Sequence, residues 1–197
     1  MKRKSRNAIV YLLTIVALSL MGCSGDPLTA QDFESENQNV VNNQRGTAID
    51  DLQLVPVKPE IASRLRALNK SGYSEKQIQS HNGGTVGGEK TYGNKVNFPP
   101  DALPSDTWVS VEVECIESNN QCGTVIEFLP SMKFNSDVTV TLSFDVLDFN
   151  GDPDLLKVVW YDEASGLWVE VDNPIIDYDD KTVSVLVDHF TRYSWSL

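Results

Sequence analysis

A chain of 197 residues with 28 acidic against 16 basic side chains carries a formal charge of −12, and its 41% hydrophobic content is enough for one packed domain. Such an acidic surface repels phosphate backbones and anionic headgroups, which argues against nucleic-acid binding and against membrane attachment through a basic patch. With two histidines and three cysteines, the chain contains no zinc cluster, Ser/His/Asp set, phosphate loop or repeat in its motifs.

The first residues, "MKRKSRN", hold Lys2, Arg3, Lys4 and Arg6 and no acid. An apolar stretch follows from Ala8 to Gly22. As a helix it would measure about 22 Å, shorter than the roughly 30 Å hydrocarbon slab, so a stable span is not expected. A basic start and a short apolar run ending in small residues are what an export signal needs. Leu20, Met21, Gly22 and Cys23 resemble the lipobox of bacterial lipoproteins. That resemblance implies a signal peptide over 1–22, acylation of the Cys23 thiol by palmitate-type chains, and cleavage that leaves Cys23 as the first residue. An ordinary cleaved signal and a retained anchor are the competing readings. Two or three acyl chains, at about 0.8 kcal/mol per buried CH₂, hold a protein stably on a membrane. By resemblance to the sorting rule of Gram-negative lipoproteins, Ser24 in the next position implies the outer membrane. Removing residues 1–22 takes away four basic residues and no acid, leaving the mature chain at −16.

Residues 23–58 are polar and rich in Asn, Gln and Asp, with apolar residues spaced too widely for a core. They read as a lipidated, disordered linker. A flexible coil of that length would span roughly 30–35 Å. Residues 59–72, "PEIASRLRALNKSG", then read as one short amphipathic helix. Pro59 suits a first helical position, Ile61, Leu65 and Leu68 recur at helical spacing, and Gly72 stops the turn. The stripe packs on the next domain or serves a partner; Arg64 and Arg66 are expected to face solvent.

From residue 75 to 197 the pattern changes to period two. Val109, Val111, Val113 and Cys115 alternate with Ser110, Glu112 and Glu114; Val138, Val140, Leu142 and Phe144 alternate with Thr139, Thr141, Ser143 and Asp145. Val183, Val185 and Val187 repeat the device. Further strands are expected near 76–80, 84–86, 95–98, 122–129, 155–161, 167–171 and 193–197, divided by "HNGG", "PPDALPSD", "NGDPD", "DEASG" and "DYDDK". Nine or ten short strands without crossover helices predict an all-β fold, an antiparallel β-sandwich. Cys115 and Cys122 flank the turn-rich "IESNNQ". A hairpin would set the two sulfurs opposite each other, and a disulfide closing this short loop implies about 2.5 kcal/mol in the chain-entropy model. Metal ligation by the pair is the lesser alternative, since no histidine lies nearby.

Residues 83–113, "GGTVGGEKTYGNKVNFPPDALPSDTWVSVEV", resemble the opening of a ZU-type domain, the β-sandwich named for zona occludens and Unc-five netrin-receptor proteins and shared with ankyrins. The pattern is a double glycine, a strand, then a proline-rich corner. "FLPSMKFNSDVTVTLSF" and "VVWYDEASGLWVEVD" are similar to later strands of its bacterial relatives, and "VSVLVDHFTRYSW" to their closing motif. The match covers about 83–195. It implies a ZU-like sandwich acting as an interaction module. The motifs also make sense physically: Gly83 and Gly84 allow positive φ in a turn, and Pro99 and Pro100 stiffen a corner closed by Ala102 and Leu103.

Three pieces of chemistry are candidates. Some members of that family cut themselves at a His-Phe-Ser motif, which implies His189 as base and Thr191 as nucleophile, with cleavage before Thr191. Threonine replaces the serine, and only six residues follow it. The alternative is that His189 and Thr191 merely close the last strand, with Asp188 pointing to the opposite face. Asp148, Asn150, Asp152 and Asp154 alternate like ligands of a Ca²⁺ loop but lack its glycine and bidentate glutamate, so a solvated turn competes with a weak Ca²⁺ site. Trp108, Trp160, Trp168 and Trp195 could stack on sugars or pack a core.

These readings converge on a non-catalytic, lipid-anchored module of the cell envelope, needing no cofactor and meeting an envelope protein or glycan. A self-cleaving sandwich and a Ca²⁺- or carbohydrate-binding module are the alternatives.

Overall fold

A computed structural model describes residues 46–67, 72–118 and 120–197. The expected signal peptide, the expected acylation site Cys23 and the linker up to residue 45 lie outside the described residues, as does Leu68.

A short helix, α1 (Pro59–Arg66), is followed by β1 (Tyr73–Ile78), β2 (Gly84–Gly87), β3 (Lys95–Phe98), β4 (Thr107–Ser118), β5 (Gln121–Leu129) and β6 (Lys133–Ser143). Next come β7 (Lys157–Asp162), β8 (Leu167–Glu170), β9 (Ile175–Asp177), β10 (Thr182–His189) and β11 (Arg192–Ser196). They form two antiparallel sheets, ordered β1-β4-β5-β11-β7-β8 and β2-β3-β6-β10-β9. The antiparallel sandwich expected from the alternation is therefore the fold, with β9 as a strand the pattern did not reveal.

The alternating valines face inward. Val109, Val111 and Val113 on β4, Val138, Val140 and Leu142 on β6, and Val183 and Val185 on β10 are all buried. At the centre, Phe190 touches Phe134, Phe98 and Phe128, with ring centroids 4.7, 5.7 and 5.6 Å apart. The proline corner behaves as expected: Ala102 and Leu103 are buried beneath it, and the Ala102 carbonyl accepts from the Asn135 amide. Gly83 takes φ +66° in the preceding turn, where a Cβ would lie 2.2 Å from the Phe98 carbonyl oxygen.

The linker boundary needs correction. Residues 46–58 are not a free tether but a strap across the six-stranded sheet. Thr47 pairs with Trp168 on β8 through two backbone hydrogen bonds. Ile49 and Leu52 then cover an apolar patch of Val125, Val159 and Trp168 on the outer face of the sheet. Residues 53–57 finally wedge between the end of β11 and the start of β5, where those strands no longer pair with each other. There the Val55 amide donates to the Trp195 carbonyl (3.0 Å), the Val57 amide to Cys122 (2.9 Å), and the Leu197 amide to Gln53 (3.1 Å). Val55 and Val57 are 1% and 4% exposed and belong to the main core. The physical reason is pairing: two diverging strands leave unpaired backbone groups that this segment satisfies.

The helix is shorter than the expected 59–72, with its α-helical turns ending at Arg66. Ala62 is buried, and Ile61 and Leu65 pack on the core. Arg66 does not simply face water: its Nε donates to Glu117 Oε1 at 2.6 Å, tying the helix to β4. Cys115 and Cys122 form the expected disulfide, with Cα atoms 5.3 Å apart. The sulfurs come from diagonal rather than opposite positions, because the register sets Cys115 against Thr124 and Cys122 against Glu117.

Candidate functional site

The residues of "VLVDHFTRY" divide between core and surface. The ladder is irregular between Val187 and His189: Val187 faces Val138 but His189 faces Lys133, so two steps on β10 run against five on β6. Beside this irregularity the side chains of Asp188 and His189 meet, against the expectation that Asp188 points to the opposite face. His189 Nδ1–H donates to Asp188 Oδ1 at 2.7 Å. That hydrogen bond, with Lys133 3.8 Å away, holds the Asp188 carboxyl below the usual carboxylate range. Phe190 turns inward and is 1% exposed. Thr191 is buried, and its hydroxyl donates to the Tyr161 carbonyl on β7. The backbone from Asp188 to Arg192 contains no left-handed residue. Each residue of the motif therefore has packing or hydrogen bonding to account for it, and the Thr191 proton lies on a carbonyl oxygen rather than on imidazole.

Beside this irregularity lies a cleft of about 420 Å³. Its floor is apolar, made by Trp160 of β7, Val171, Val185 and Val187 of β10, and Tyr193 of β11. Burial raises the Tyr193 phenol well above its ordinary pKa, with the Asp188 charge adding to the effect. Four carboxylates stand around it, Asp137, Glu170, Asp172 and Asp188. Lys157 reaches Glu170 at 3.1 Å, and Lys133 reaches Asp188. The His189 ring meets Trp160 edge-on, with centroids 6.1 Å apart. At the lip, Leu186 is 67% exposed.

Topology explains why the cleft exists. β6 flanks β10 along its length, but β9 pairs only with Thr182, Ser184 and Val183 between them. Before Ile175 the chain holds Pro174, which has no amide proton, and Asn173 at φ +50°. Together they carry the chain away from β10 toward β8. Among the described residues, the edge of β10 away from β6 has no neighbouring strand from Val185 to Asp188, and the cleft runs along that edge. It touches inward-facing Val185 and Val187 and outward-facing Leu186 alike, as a space beside a strand does.

The other candidates do not assemble. Asp152 Oδ1 accepts from the Asp154 amide, and Asp154 Oδ1 accepts from the Tyr178 hydroxyl. Among the described residues no three His, Cys, Asp or Glu side chains converge where they could hold a metal ion; Asp148 and Asn150 lie in irregular chain, and Asp152 caps the 3-10 turn Pro153–Leu155. The tryptophans share no face: Trp195 is in the core, Trp168 lies under the strap against Tyr161, Trp160 walls the cleft, and Trp108, 60% exposed, sits on β4. The cleft itself escaped sequence reasoning; its one local signal is "NP", which stops β9 from extending along β10.

The chain matches no model of a known protein family, and no curated protein matches it.

Proposed function

We propose that this protein is an exported lipoprotein whose acylated Cys23 holds a ZU-like β-sandwich at the cell envelope, where the sandwich acts as a non-catalytic module that binds another envelope protein. The single observation that carries the binding role is the cleft beside β10. It is concave, apolar at its floor and charged at its rim, the combination by which binding sites gain both affinity and orientation. The localisation rests on the lipobox-like Leu20–Cys23 segment and the preceding export signal; the outer membrane follows from Ser24. The ZU-like reading rests on the double glycine, the proline corner and the closing His-Phe-Thr run, each serving the sandwich architecture here.

A binding role is favoured over self-cleavage because the Thr191 hydroxyl is committed to the Tyr161 carbonyl. A protein partner is favoured over a glycan because the exposed Trp108 and the cleft's Trp160 offer no common stacking platform.

The test has two arms in cells. A photo-crosslinking residue replacing Leu186 should join the protein to an envelope protein, whereas the same residue replacing Ser110 on the other sheet should not. A Cys23→Ala variant should lose palmitate labelling and leave the membrane fraction. Labelling that persists, or crosslinks equal at both positions, would overturn the reading; crosslinks to glycan alone would replace the partner class.

A further inference from the structure

We infer that the cleft receives an extended, basic segment of the partner protein, which adds to the five-stranded sheet as a strand along the open edge of β10. The inference rests on the binding role proposed above and specifies its geometry and chemistry.

Three observations lead to it. First, the Val185–Asp188 edge of β10 has no neighbouring strand among the described residues, while Thr182–Ser184 of the same strand is paired with β9. An unpaired edge presents backbone donors and acceptors in the spacing of a sheet ladder, which is what strand addition uses. Natural sandwiches shield such edges with prolines, inward charges or covering loops; here, among the described residues, Leu186 is exposed and the cleft lies beside it.

Second, the open edge spans four residues, Val185 to Asp188, and the cleft borders all four. Four residues in extended form measure about 13 Å. An entering strand would occupy the place that β9 would have taken had Pro174 not diverted the chain. Its side chains would alternate in direction. One set would meet the floor of Val185, Val187, Trp160 and Tyr193, and the other would pass Leu186 toward solvent. The irregularity at Val187 to His189 ends the regular ladder and so sets the far limit of the added strand.

Third, the charges select the sequence. Asp137, Glu170 and Asp188 line the cleft, where Lys133 reaches Asp188 and Lys157 reaches Glu170. The excess is negative, within a chain of formal charge −12. Lysine or arginine alternating with branched apolar residues satisfies floor and rim together, and an acidic strand would be repelled. The aromatic face of Trp160 adds a cation–π surface for such a side chain.

Strand addition is tested with the full chain and three capped six-residue peptides. One alternates lysine and valine, one alternates glutamate and valine, and one repeats the first with alternate backbone nitrogens methylated. Binding is followed by titration, and amide hydrogen exchange is followed across β10. The lysine peptide should bind and slow exchange of edge-facing amides in Val185–Asp188. Backbone methylation should weaken it at least tenfold, Asp137→Asn at least threefold, and the glutamate peptide should not bind. Unchanged exchange in Val185–Asp188, equal binding of the methylated peptide, or equal binding of the glutamate peptide would each overturn the inference. If crosslinking through residue 186 still captures an envelope protein in that event, the binding role survives and strand addition alone is lost.

Discussion

Replacing Val55 with alanine separates a structural strap from a passive tether. Val55 is 1% exposed, lies in the main core, and donates its amide to Trp195 on the last strand. The substitution removes two methyl groups, worth about 1.6 kcal/mol in transfer at ~0.8 kcal/mol each. The cavity adds about 1 kcal/mol at ~24 cal/mol per Å³ if the surroundings relax little. A loss of ~2.5 kcal/mol should therefore lower the melting midpoint by about 5–10 °C in a domain of this size. Val57→Ala should cost a similar amount, and the double variant need not equal the sum because the two are near neighbours. Gln53→Ala, whose exposed side chain leaves its backbone carbonyl in place, should stay within ~0.5 kcal/mol. Thermal and urea unfolding followed by circular dichroism give the values. A Val55→Ala midpoint indistinguishable from that of Gln53→Ala would refute the claim that the domain begins before Pro59.

Other outcomes follow from the same geometry. Phe190→Ala should destabilise by about 3–5 kcal/mol, because that ring joins Phe98, Phe128 and Phe134; intact mass should remain that of uncut protein on prolonged incubation, and a peptide released by cleavage before Thr191 would contradict the hydroxyl's assignment. The Thr124 hydroxyl is the one buried side-chain oxygen or nitrogen among the described residues without a hydrogen-bond partner, so Thr124→Val should be neutral or stabilise by up to about 1 kcal/mol in urea melts. His189 lowers the Asp188 pKa through its hydrogen bond. A carboxylate depressed in the folded state contributes stability above its unfolded value, near 3.9, and loses that contribution as pH falls through the lower folded value. Acid unfolding of His189→Gln should therefore be less steep below about pH 4 than that of the parent chain; identical acid limbs would argue against the pair.

The sandwich was legible because its strands are half-buried. Val109, Val111 and Val113, or Val138, Val140 and Leu142, could alternate only if one face met a core and the other met solvent. The disulfide and the proline corner were equally local. What escaped depended on distant neighbours. In residues 46–58 the apolar run Leu54, Val55, Pro56 and Val57 was present, but four residues among polar ones resemble a linker until the gap between β5 and β11 is seen. β9 has only three residues and no room for a period. The irregularity beside which Asp188 and His189 meet arises from register against β6, which no local pattern encodes. The cleft is less legible still, since it is defined by the neighbour that β10 lacks beyond Ser184 among the described residues.

The central claim is that the open edge of β10 is where this protein meets its partner. Amide hydrogen exchange of the chain in native membrane vesicles, compared with the purified chain, tests it most directly. Slower exchange over Val185–Asp188 in the vesicles, with the edge of β1 unchanged, is the predicted result; equal exchange over Val185–Asp188 in both samples would contradict it.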